Sequence, residues 1–578
     1  MDDPAAALLR DGRIVALGEE ERFIRVKHGV ISYAQDTFTT NEEMSPFVDV
    51  DVRFFPRESI RFCLRVGGLK WSDLDVVCLA FDVPAILRER TRYARGFPGL
   101  TLAALRHRFR AFRDYVRRLT DLCHSEGIRL VFVRHHLAHT AGALFSSEMR
   151  RAMVLTMDGM GEFDSARLST FNGSELETLR SSPLPHSLGR VYSSTTSHLG
   201  FRSNREEEKV MALAGYGSPR YLERFRRLVR PTNEGFRIEP SAFWNRECNM
   251  GFARPSTLAA RLGVPPRPPP VSPLDPPYPD LAASLQEILF EISSHLCRIL
   301  FDQSGYHDLC LAGGVALNCE NNGRLVTQTD MVRDLWVQPQ AGDAGTALGA
   351  AYWVHFEETG ARPEPMRHAY YGRGYSDAEI ESLLRKWKLP YEPTSDVAGV
   401  AAEEIANGRI VGWFQGASEA GPRALGARSL LALPGSRRQA QRMNDNVKHR
   451  ERWRPFSPSL CDEDRKHFLL PDLYVPFMTV ALPVRSGARS SLRGVTHVTG
   501  TTRAQTVRKE ANPEYHRLLR RLARSTGTSA VLNTSFNVAG EPIVDHPREA
   551  VLDFFSTGID VLAIGHFVLR KDSSSRSR

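Results

Sequence analysis

Two segments near the middle of the chain each run from a short apolar strand through a glycine turn into a helix. They are HDLCLAGGVALNCENNGRL and DLWVQPQAGDAGTALGAAYWVHF. Repeated units of this kind, in which strand and helix alternate, predict an α/β fold. Ligands of such folds collect at the carboxyl ends of the strands, so Gly313, Gly314 and Asp343 are predicted to lie where a nucleotide or an ion would bind.

Two earlier segments predict β-hairpins. AALLRDGRIVALGEEER has a turn signal at Asp11-Gly12, and RAMVLTMDGMGEFDSARLSTFNGSELETL has one at Asn172-Gly173. Both dipeptides tolerate the positive φ values that tight hairpin turns require. The repetition of this pattern favours a duplicated mixed sheet of the actin-like ATPase type for the first part of the chain.

The chain, at 578 residues, is too long for one hydrophobic core. We predict a first domain over 1–355, a linker over 356–370, a second α/β domain over 371–570 and a disordered tail over 571–578. The proline-dense stretch 265–280 is predicted to be an extended loop, because each proline removes a backbone donor and restricts φ.

Composition and charge narrow the class of protein. The net charge is +9, and residues 88–118 are rich in arginine, but no aromatic residues alternate with the basic ones as in nucleic-acid-binding ribbons. A solvated helix face is the preferred interpretation, and no nucleic-acid partner is expected. The eight cysteines show no C-x-x-C spacing and are predicted to be reduced thiols. No apolar run is long enough for a membrane span and no signal peptide opens the chain, which predicts a soluble, cytoplasmic protein.

A candidate metal site begins with His135 and His139 in RLVFVRHHLAHTAGALF. Residues four apart project from one helical face, so both imidazoles can share an ion. Asp158 and Asp343, each after a predicted strand, complete a set suited to iron, zinc or manganese. A pair of packed or solvated helix-face histidines is the alternative. A zinc protease is excluded because HHLAH lacks the glutamate of H-E-x-x-H.

The second half of the chain concentrates basic residues beside glycine and proline turns. Guanidinium groups held there by the backbone suit bidentate binding of phosphate, and strand-end Asn and Ser can donate to a carbonyl or carboxylate. A surface cation is the alternative for any one of them. The basic residues are Arg423, Arg428, Lys448, Arg450, Arg454 and Arg503. Glu419 lies in the same turn as Arg423, and the strand-end polar residues are Asn533 and Ser535.

The ordered motifs resemble the NodU/CmcH family of O-carbamoyltransferases. They are EEERFIRVKHG, HHLAHTAGALF, MDGMGE, KVMALAGYG, LAGGVALN, GDAGTALGAA, GPRALGARSLL, VKHRERWRPFSPS and LNTSFNVAGEPIV. The resemblance covers nearly the whole chain. It implies a Kae1-like, actin-type first domain followed by a YrdC/Sua5-like domain.

The resemblance also implies a two-step reaction. In the second domain, Arg423, Lys448, Arg454 and Arg503 would neutralise the phosphates of carbamoyl phosphate and ATP. Asn533 and Ser535 would orient the carbamoyl end while carbamoyladenylate forms, with Lys448, Arg454, Arg503 and Ser535 as the catalytic groups. In the first domain, Lys209, Gly313, Gly314 and Asn318 would hold the adenylate. The expected cofactors are ATP with Mg²⁺ and a divalent cation on His135, His139, Asp158 and Asp343, Fe²⁺ first and Zn²⁺ or Mn²⁺ next.

The carbamoyl group would then pass to a hydroxyl of a small molecule. The resemblance suggests a secondary metabolite such as an antibiotic, or a nodulation-type sugar. A hydrolysable intermediate predicts an internal passage or a closed interface, and a homodimer is allowed. The alternatives are a tRNA-threonylcarbamoylating enzyme and an inactive nucleotide-binding scaffold. The chain departs from the family pattern at two positions. Asp2 and Asp3 stand where the family has a His-Asp pair, so Asp2 replaces the histidine, and Ala417 stands where an arginine is common. The departure at Asp2 predicts either a start placed too late or a different base for the acceptor.

Overall fold

The computed structural model describes residues 3–29, 56–97, 100–244 and 255–571. The chain separates into two compact units. The first contains Met1–Glu20 and His28–Met366, and the second contains Glu21–Lys27 and Arg367–Arg578. The sequence predicted a contiguous first domain, whereas the structure assigns the short segment Glu21–Lys27 to the second unit. Asp2, and the predicted tail beyond Lys571, lie outside the described residues.

The strands of the first unit are β1 (Ala5–Arg10), β2 (Arg13–Glu19), β3 (Val76–Leu79), β4 (Arg129–Phe132), β5 (Ala152–Met157), β6 (Asp164–Phe171), β7 (Leu176–Pro183), β8 (Val229–Thr232), β9 (Gly235–Ile238), β10 (Asp308–Ala312) and β11 (Asp334–Val337). Five of them form one sheet in the order β11-β10-β5-β6-β7. β11, β10 and β5 are parallel, and β5, β6 and β7 form an antiparallel meander. The unit is therefore of mixed α/β type.

Both predicted hairpins are confirmed. β1 and β2 pair antiparallel, with Arg10 opposite Arg13 across Asp11-Gly12. β6 and β7 pair with Phe171 opposite Leu176. Asp11, Gly12 and Gly173 have positive φ values, as these tight turns require.

The helices of the first unit pack around these strands. α1 (Glu20–Ile24) crosses into the second unit at Glu21. The others are α2 (Arg57–Gly67), α3 (Val83–Arg88), α4 (Arg90–Gly96), α5 (Leu102–Ser125), α6 (His135–Ser146), α7 (Leu188–His198), α8 (Glu207–Ala214), α9 (Leu222–Leu228), α10 (Pro240–Phe243), α11 (Pro255–Leu262), α12 (Tyr278–Ser304), α13 (Cys319–Thr327) and α14 (Thr346–Thr359). α6 contacts α14 and strands β5 and β10, and nearly all its residues are buried.

Three sequence predictions about segments can be compared with these elements. The proline-dense loop ends at Pro277, three residues earlier than predicted, because Tyr278–Asp280 already form the first turn of α12. Pro279 is tolerated there because the first turn of a helix does not use the backbone N–H that proline lacks. α14 continues to Thr359, so the segment without helix or strand begins four residues after the predicted start of the linker. Arg106, Arg110 and Arg113 of α5 are exposed, as predicted for a solvated helix face, whereas Arg108 is buried and donates to the Tyr93 hydroxyl.

The second unit contains strands β12 (Glu392–Pro393), β13 (Val411–Phe414), β14 (Arg428–Ala432), β15 (Ser457–Cys461), β16 (Leu482–Pro483), β17 (Thr501–Thr502), β18 (Gln505–Val507), β19 (Ala530–Ser535), β20 (Val561–Ile564) and β21 (Phe567–Arg570). Its helices are α15 (Asp377–Lys386), α16 (Val397–Ala406), α17 (Arg437–Met443), α18 (Arg465–Phe468), α19 (Pro513–Thr526) and α20 (Pro547–Ser556). Eight strands form one mixed sheet in the order β12-β21-β20-β13-β14-β19-β15-β18. Apolar side chains of α16 and α19, including Ala401 and Leu518, form a core with strand residues such as Trp413 and Val531.

Within the described ranges, no helix combines the length and the apolar character needed to cross a bilayer.

Candidate functional site

Four side chains converge at one edge of the five-stranded sheet in the first unit. His135 and His139 lie one turn apart on α6, Asp158 directly follows β5, and Asp343 opens a short 3-10 helix after β11. One ligand atom from each lies within 4.8 Å of all the others. The structure therefore brings together the four residues that the sequence selected as metal ligands.

The shortest contacts join the imidazoles to the carboxylates. His135 Nε2 is 2.8 Å from Asp158 Oδ2 and 3.5 Å from Asp343 Oδ1. His139 Nε2 is 3.3 Å from Asp158 Oδ2, 3.8 Å from Asp343 Oδ1 and 3.1 Å from His135 Nε2. Both histidines thus direct the same ring nitrogen towards the same two oxygens.

Burial and charge act in opposite directions on these groups. Burial lowers the pKa of His135, but the hydrogen bond to Asp158 and the charges of Asp343 and Asp158 raise it to about 9 overall. Burial raises the pKa of Asp158, yet its hydrogen bonds to His135 and His139 hold it well below its usual range. The carboxylates are therefore anionic at neutral pH and favour a cation between them.

The donor set fits a divalent transition metal. Two imidazole nitrogens and two carboxylate oxygens are ligands that iron, zinc and manganese accept. His135 is 1% exposed and His139 is fully buried, whereas Asp343 retains 20% of its side-chain exposure. An ion held here would be reached from the Asp343 side, which leaves room for a substrate oxygen.

Glu162 fixes the start of α6, a role that no sequence pattern predicted. Its carboxylate accepts hydrogen bonds from the backbone N–H groups of His135, at 2.9 and 3.2 Å, and of Asp82, at 2.7 Å. Such an anion at a helix N-terminus satisfies donors that the helix itself leaves unpaired. The sequence signal for Glu162 is its position in the motif MDGMGE, four residues after Asp158. Nothing in that motif shows that the side chain contacts α6.

His136 supports the cluster without joining it. Its ring contacts Thr156 Oγ1 at 2.8 Å and the Asp164 carbonyl oxygen at 3.0 Å. Burial and the neighbouring His135 and His139 lower its pKa to about 3, so it is neutral. It anchors α6 to β5 and β6.

The predicted glycine turn lies beside Asp158. The Gly314 N–H donates to Asp158 Oδ1 at 3.1 Å. Gly313 has a φ of 91°, and a Cβ there would lie 2.1 Å from the Met157 carbonyl oxygen. Only glycine therefore allows the backbone of this turn to approach β5 so closely.

The other two residues predicted to hold an adenylate make contacts of their own. Asn318 caps α13 by accepting from the Asn321 N–H at 3.0 Å, and its side chain exchanges hydrogen bonds with Gln286. Lys209 pairs with Glu206 at 2.8 Å and lies 5.7 Å from the centre of the Phe201 ring. Asn318 caps α13 and Lys209 lies in α8, and both helices contact α12.

In the second unit, Lys448 and Ser535 are in direct contact. The Lys448 ammonium donates to the Ser535 carbonyl oxygen at 2.8 Å and to its hydroxyl at 3.1 Å. It also donates to the carbonyl oxygen and the side-chain oxygen of Asn537, at 2.9 and 2.5 Å. The pKa of Lys448 is lowered well below its ordinary value by burial and then by Arg450, Lys27 and Arg454. This crowding of cations favours a bound anion.

Asn533 and Arg503 meet around Ser457. Ser457 pairs with Asn533 across β15 and β19, and its hydroxyl accepts from Arg503 Nε at 3.2 Å. The Asn533 amide donates to the Ala424 carbonyl oxygen at 3.1 Å and to Ser459 Oγ at 2.9 Å. Asn533 is 1% exposed, so these hydrogen bonds lie inside the protein and connect β19 to β15 and to the turn at Ala424.

The remaining predicted cations differ in surroundings. Arg454, 18% exposed, lies 3.6 Å from Glu451. Arg423 is half-buried in the turn that Glu419 closes by accepting from the backbone N–H of Leu425 at 2.5 Å. Arg428 is fully buried and donates to backbone carbonyls. We therefore assign Arg428 to holding the turn rather than to facing a phosphate.

The segment Glu21–Lys27 supplies basic residues to the second unit, although the sequence predicted it to belong to the first domain. Arg25 donates to the carbonyl oxygens of Ile543 and Pro542 at 2.7 and 3.0 Å and pairs with Glu549 at 3.3 Å. Lys27 contributes to the depressed pKa of Lys448. The signal was present in EEERFIRVKHG, but the contact spans more than half the chain.

Two protein-family models match the chain. "Carbamoyltransferase N-terminus" matches residues 1–352, and "Carbamoyltransferase C-terminus" matches residues 402–571. The first includes all four residues of the His/Asp cluster, and the second includes Lys448, Arg503 and Ser535.

Similar proteins occur in several bacteria. An uncharacterized protein, sll1178, of Synechocystis is 34% identical over 98% of this chain and 95% of its own length. Nodulation protein NolNO of Sinorhizobium fredii is 37% identical over 100% of this chain and 80% of its own. The 3'-hydroxymethylcephem-O-carbamoyltransferase of Amycolatopsis lactamdurans is 36% identical over 49% of this chain and 52% of its own. Among solved structures, T. kodakarensis HypF overlaps 44% of this chain and 40% of its own, with 14% identity and a TM-score of 0.26, too low to assign a fold.

Proposed function

Because the chain belongs to the carbamoyltransferase family and is a carbamoyltransferase enzyme, we propose that it uses ATP to carbamoylate a hydroxyl of a small molecule. The carbamoyl donor is carbamoyl phosphate. The acceptor is a secondary metabolite, since one relative is named for carbamoylating the hydroxymethyl group of a cephem. The second unit activates the carbamoyl group, and the first unit transfers it.

Activation requires two bond exchanges in the second unit. Water cleaves carbamoyl phosphate to carbamate and phosphate, and a carbamate oxygen then attacks the α-phosphorus of ATP to give carbamoyladenylate and pyrophosphate. Carbamate itself is a poor electrophile, and the adenylate provides the leaving group. Lys448, Arg423, Arg454 and Arg503 neutralise the phosphates, while Asn533 and Ser535 orient the carbamoyl end. The contacts of the Lys448 ammonium with Ser535 support this assignment.

Transfer takes place at the His/Asp cluster of the first unit. The acceptor oxygen attacks the carbamoyl carbon, the bond from that carbon to the AMP oxygen breaks, and the hydroxyl proton is released to water. Lys209, Gly313, Gly314 and Asn318 hold the adenylate. The hydrogen bond between Gly314 N–H and Asp158 supports this placement, because it brings the glycine turn to the cluster.

His135, His139, Asp158 and Asp343 hold a divalent cation, with Fe²⁺ first and Zn²⁺ or Mn²⁺ next. When bound, it supplies Lewis-acid polarisation of a carbonyl, worth on the order of several kcal/mol to charge stabilisation in the transition state. Mg²⁺ accompanies ATP in the second unit.

A finer fold assignment accompanies this function. We assign the first unit to the Kae1-like, actin-type ATPase architecture and the second to the YrdC/Sua5-like architecture. In the first unit, the support is a meander of three antiparallel strands beside two parallel ones, with ligand residues following β5 and β11. In the second, it is a mixed sheet whose strand β19 ends beside Lys448.

The observation that carries the proposal is the convergence of four ligand atoms within 4.8 Å in the part of the chain that matches the carbamoyltransferase amino-terminal model. The test is incubation of the full chain with labelled carbamoyl phosphate, ATP, Mg²⁺, Fe²⁺ and a panel of hydroxylated acceptors. Mass spectrometry should show an acceptor with one hydrogen replaced by a labelled carbamoyl group. Pyrophosphate release should depend on carbamoyl phosphate.

Two controls separate the alternatives. Replacing carbamoyl phosphate by bicarbonate, threonine and tRNA tests a threonylcarbamoylating reaction, and ATP consumption under those conditions alone would contradict the proposal. Failure of carbamoyl phosphate to stimulate pyrophosphate release would contradict the ATP-dependent route while leaving the enzyme class intact.

A further inference from the structure

Three ligand-type side chains meet in the second unit, outside the residues assigned to adenylate formation. Cys461 ends β15, Glu463 lies in the short 3-10 helix that follows, and His516 lies in the first turn of α19. One ligand atom from each lies within 4.8 Å of the other two. No C-x-x-C spacing marks Cys461 as a metal ligand in the sequence, and its neighbour His516 is remote along the chain.

These groups form a ligand set that zinc accepts. Thiolate sulfur, imidazole nitrogen and carboxylate oxygen all bind Zn²⁺, and three protein ligands leave a fourth position for water. His516 Nε2 already lies 2.9 Å from Glu463 Oε1. Zinc bonds of about 2.0–2.3 Å in a tetrahedral arrangement separate ligand atoms by roughly 3.4 Å, so only small side-chain movements are needed.

The burial of the three ligands defines an inside and a mouth. Cys461 is fully buried against the core of the sheet, and the His516 side chain is 12% exposed. The Glu463 side chain is 48% exposed. A cation would therefore enter past Glu463 and reach the sulfur last, with its water on the solvent side.

The neighbouring charges allow a cation. Arg520 is the adjacent basic residue. Its side chain hydrogen-bonds to Cys461 and to Asp464, the latter at 3.0 Å, and lies 3.8 Å from Glu463. Asp464 also accepts from Ser529 Oγ at 2.6 Å, which keeps it beside Arg520. Asp464 balances the positive charge of Arg520, and the Glu463 carboxylate keeps its contact with His516. A cation bound to the Cys461 sulfur would replace the hydrogen bond from Arg520, which Asp464 would retain.

We propose that Cys461, Glu463 and His516 form a second metal site, which binds a divalent cation of the zinc class with one position open to water. The site is independent of the carbamoyl-transfer chemistry proposed above. It joins the end of β15 to α19, whose apolar face contributes Leu518 and Leu519 to the core of the second unit. Its role is to stabilise that unit.

Cobalt substitution tests the proposal with a signal that the His/Asp cluster cannot produce. Co²⁺ bound to a thiolate gives a near-ultraviolet charge-transfer band, whereas His135, His139, Asp158 and Asp343 offer only nitrogen and oxygen. The full chain, stripped of metal, should develop this band on titration with Co²⁺. Cys461→Ser should abolish it, and His516→Gln should weaken Co²⁺ binding at the thiolate at least tenfold.

Cys297→Ser is the matched control, because Cys297 is also a fully buried thiol whose pKa burial raises to about 12, as for Cys461. It should retain the band. Absence of the band in the unaltered chain at saturating Co²⁺, or its persistence in Cys461→Ser, would overturn the proposal. If Cys461→Ser does not fold, His516→Gln decides, since unchanged cobalt affinity in that variant is equally fatal.

A stability measurement provides a second readout. In a His139→Ala background, which breaks the His/Asp cluster, added Zn²⁺ should raise the Tm. The rise should disappear in His139→Ala/His516→Gln. An equal rise in both variants would assign the Zn²⁺ effect to other groups and refute the site.

Discussion

Glu162 offers the sharpest test of how the first unit holds its His/Asp cluster. Its buried carboxylate accepts from the backbone N–H groups of His135 and Asp82, and so fixes the first turn of α6. Glu162→Ala removes both acceptors at once. Glu162→Gln keeps one oxygen and nearly the same shape, and removes the charge.

The magnitude follows from these contacts. Two buried N–H groups without a partner cost about 1–3 kcal/mol each. Part of this cost is offset, because the substitution also removes a buried charge. Burial disfavours the charged form of Glu162 and raises its pKa. We therefore expect Glu162→Ala to lower the free energy of unfolding by about 2–3 kcal/mol and Glu162→Gln by about 1 kcal/mol. Loss of such an outer partner should weaken metal binding at the cluster by about 10- to 100-fold in the alanine variant.

The assay combines metal affinity with the two half-reactions. Titration calorimetry with Fe²⁺ or Mn²⁺ should show the graded loss, alanine more than glutamine, and carbamoyl transfer should fall in parallel. Pyrophosphate release, which the proposed route assigns to the second unit, should stay unchanged. An unaltered metal affinity in Glu162→Ala, or an equal loss of pyrophosphate release, would refute the role of Glu162 in positioning α6.

Three further predictions concern both units. Lys448→Ala should lower carbamoyl-phosphate-dependent pyrophosphate release by about 100-fold or more, because it removes a preorganised cation. His139→Ala should abolish carbamoyl transfer and leave pyrophosphate release intact. Loss of both activities in His139→Ala would contradict the division of labour between the two units. Gly313→Ala should destabilise the chain by at least about 3 kcal/mol in denaturant unfolding, whereas Gly305→Ala, at a positive φ with open space around it, should cost about 1 kcal/mol, and equal costs would show that the contact with β5 is relieved easily. Burial and then Glu541 raise the pKa of Asp553 to about 6, so its contribution to stability is complete below pH ~4 and lost as pH rises through 6. Asp553→Asn should therefore stabilise the protein by about 1–2 kcal/mol at pH 7 and not at pH 4. A stability difference that does not change with pH would exclude the titration of this carboxyl as its cause.

Local patterns in the sequence were sufficient for several features. The dipeptides Asp11-Gly12 and Asn172-Gly173 predicted both hairpins, because turn geometry depends on the φ values of the turn residues themselves. The four-residue spacing of His135 and His139 placed both rings on one face of α6, because that spacing is set by the helical repeat.

Tertiary structure decided which distant residues meet. Asp343 comes within 3.8 Å of His139 only because β10 lies between β11 and β5 in the sheet. The segment Glu21–Lys27 joins the second unit through contacts of Arg25 with Ile543 and Pro542, and its motif EEERFIRVKHG does not show which remote residues it meets. Glu162 likewise reaches α6 through the fold. Spacing and turn chemistry act over a few residues and can be read along the chain, whereas contacts between remote residues depend on the order in which strands pair, and that order is set by the packing of the whole core.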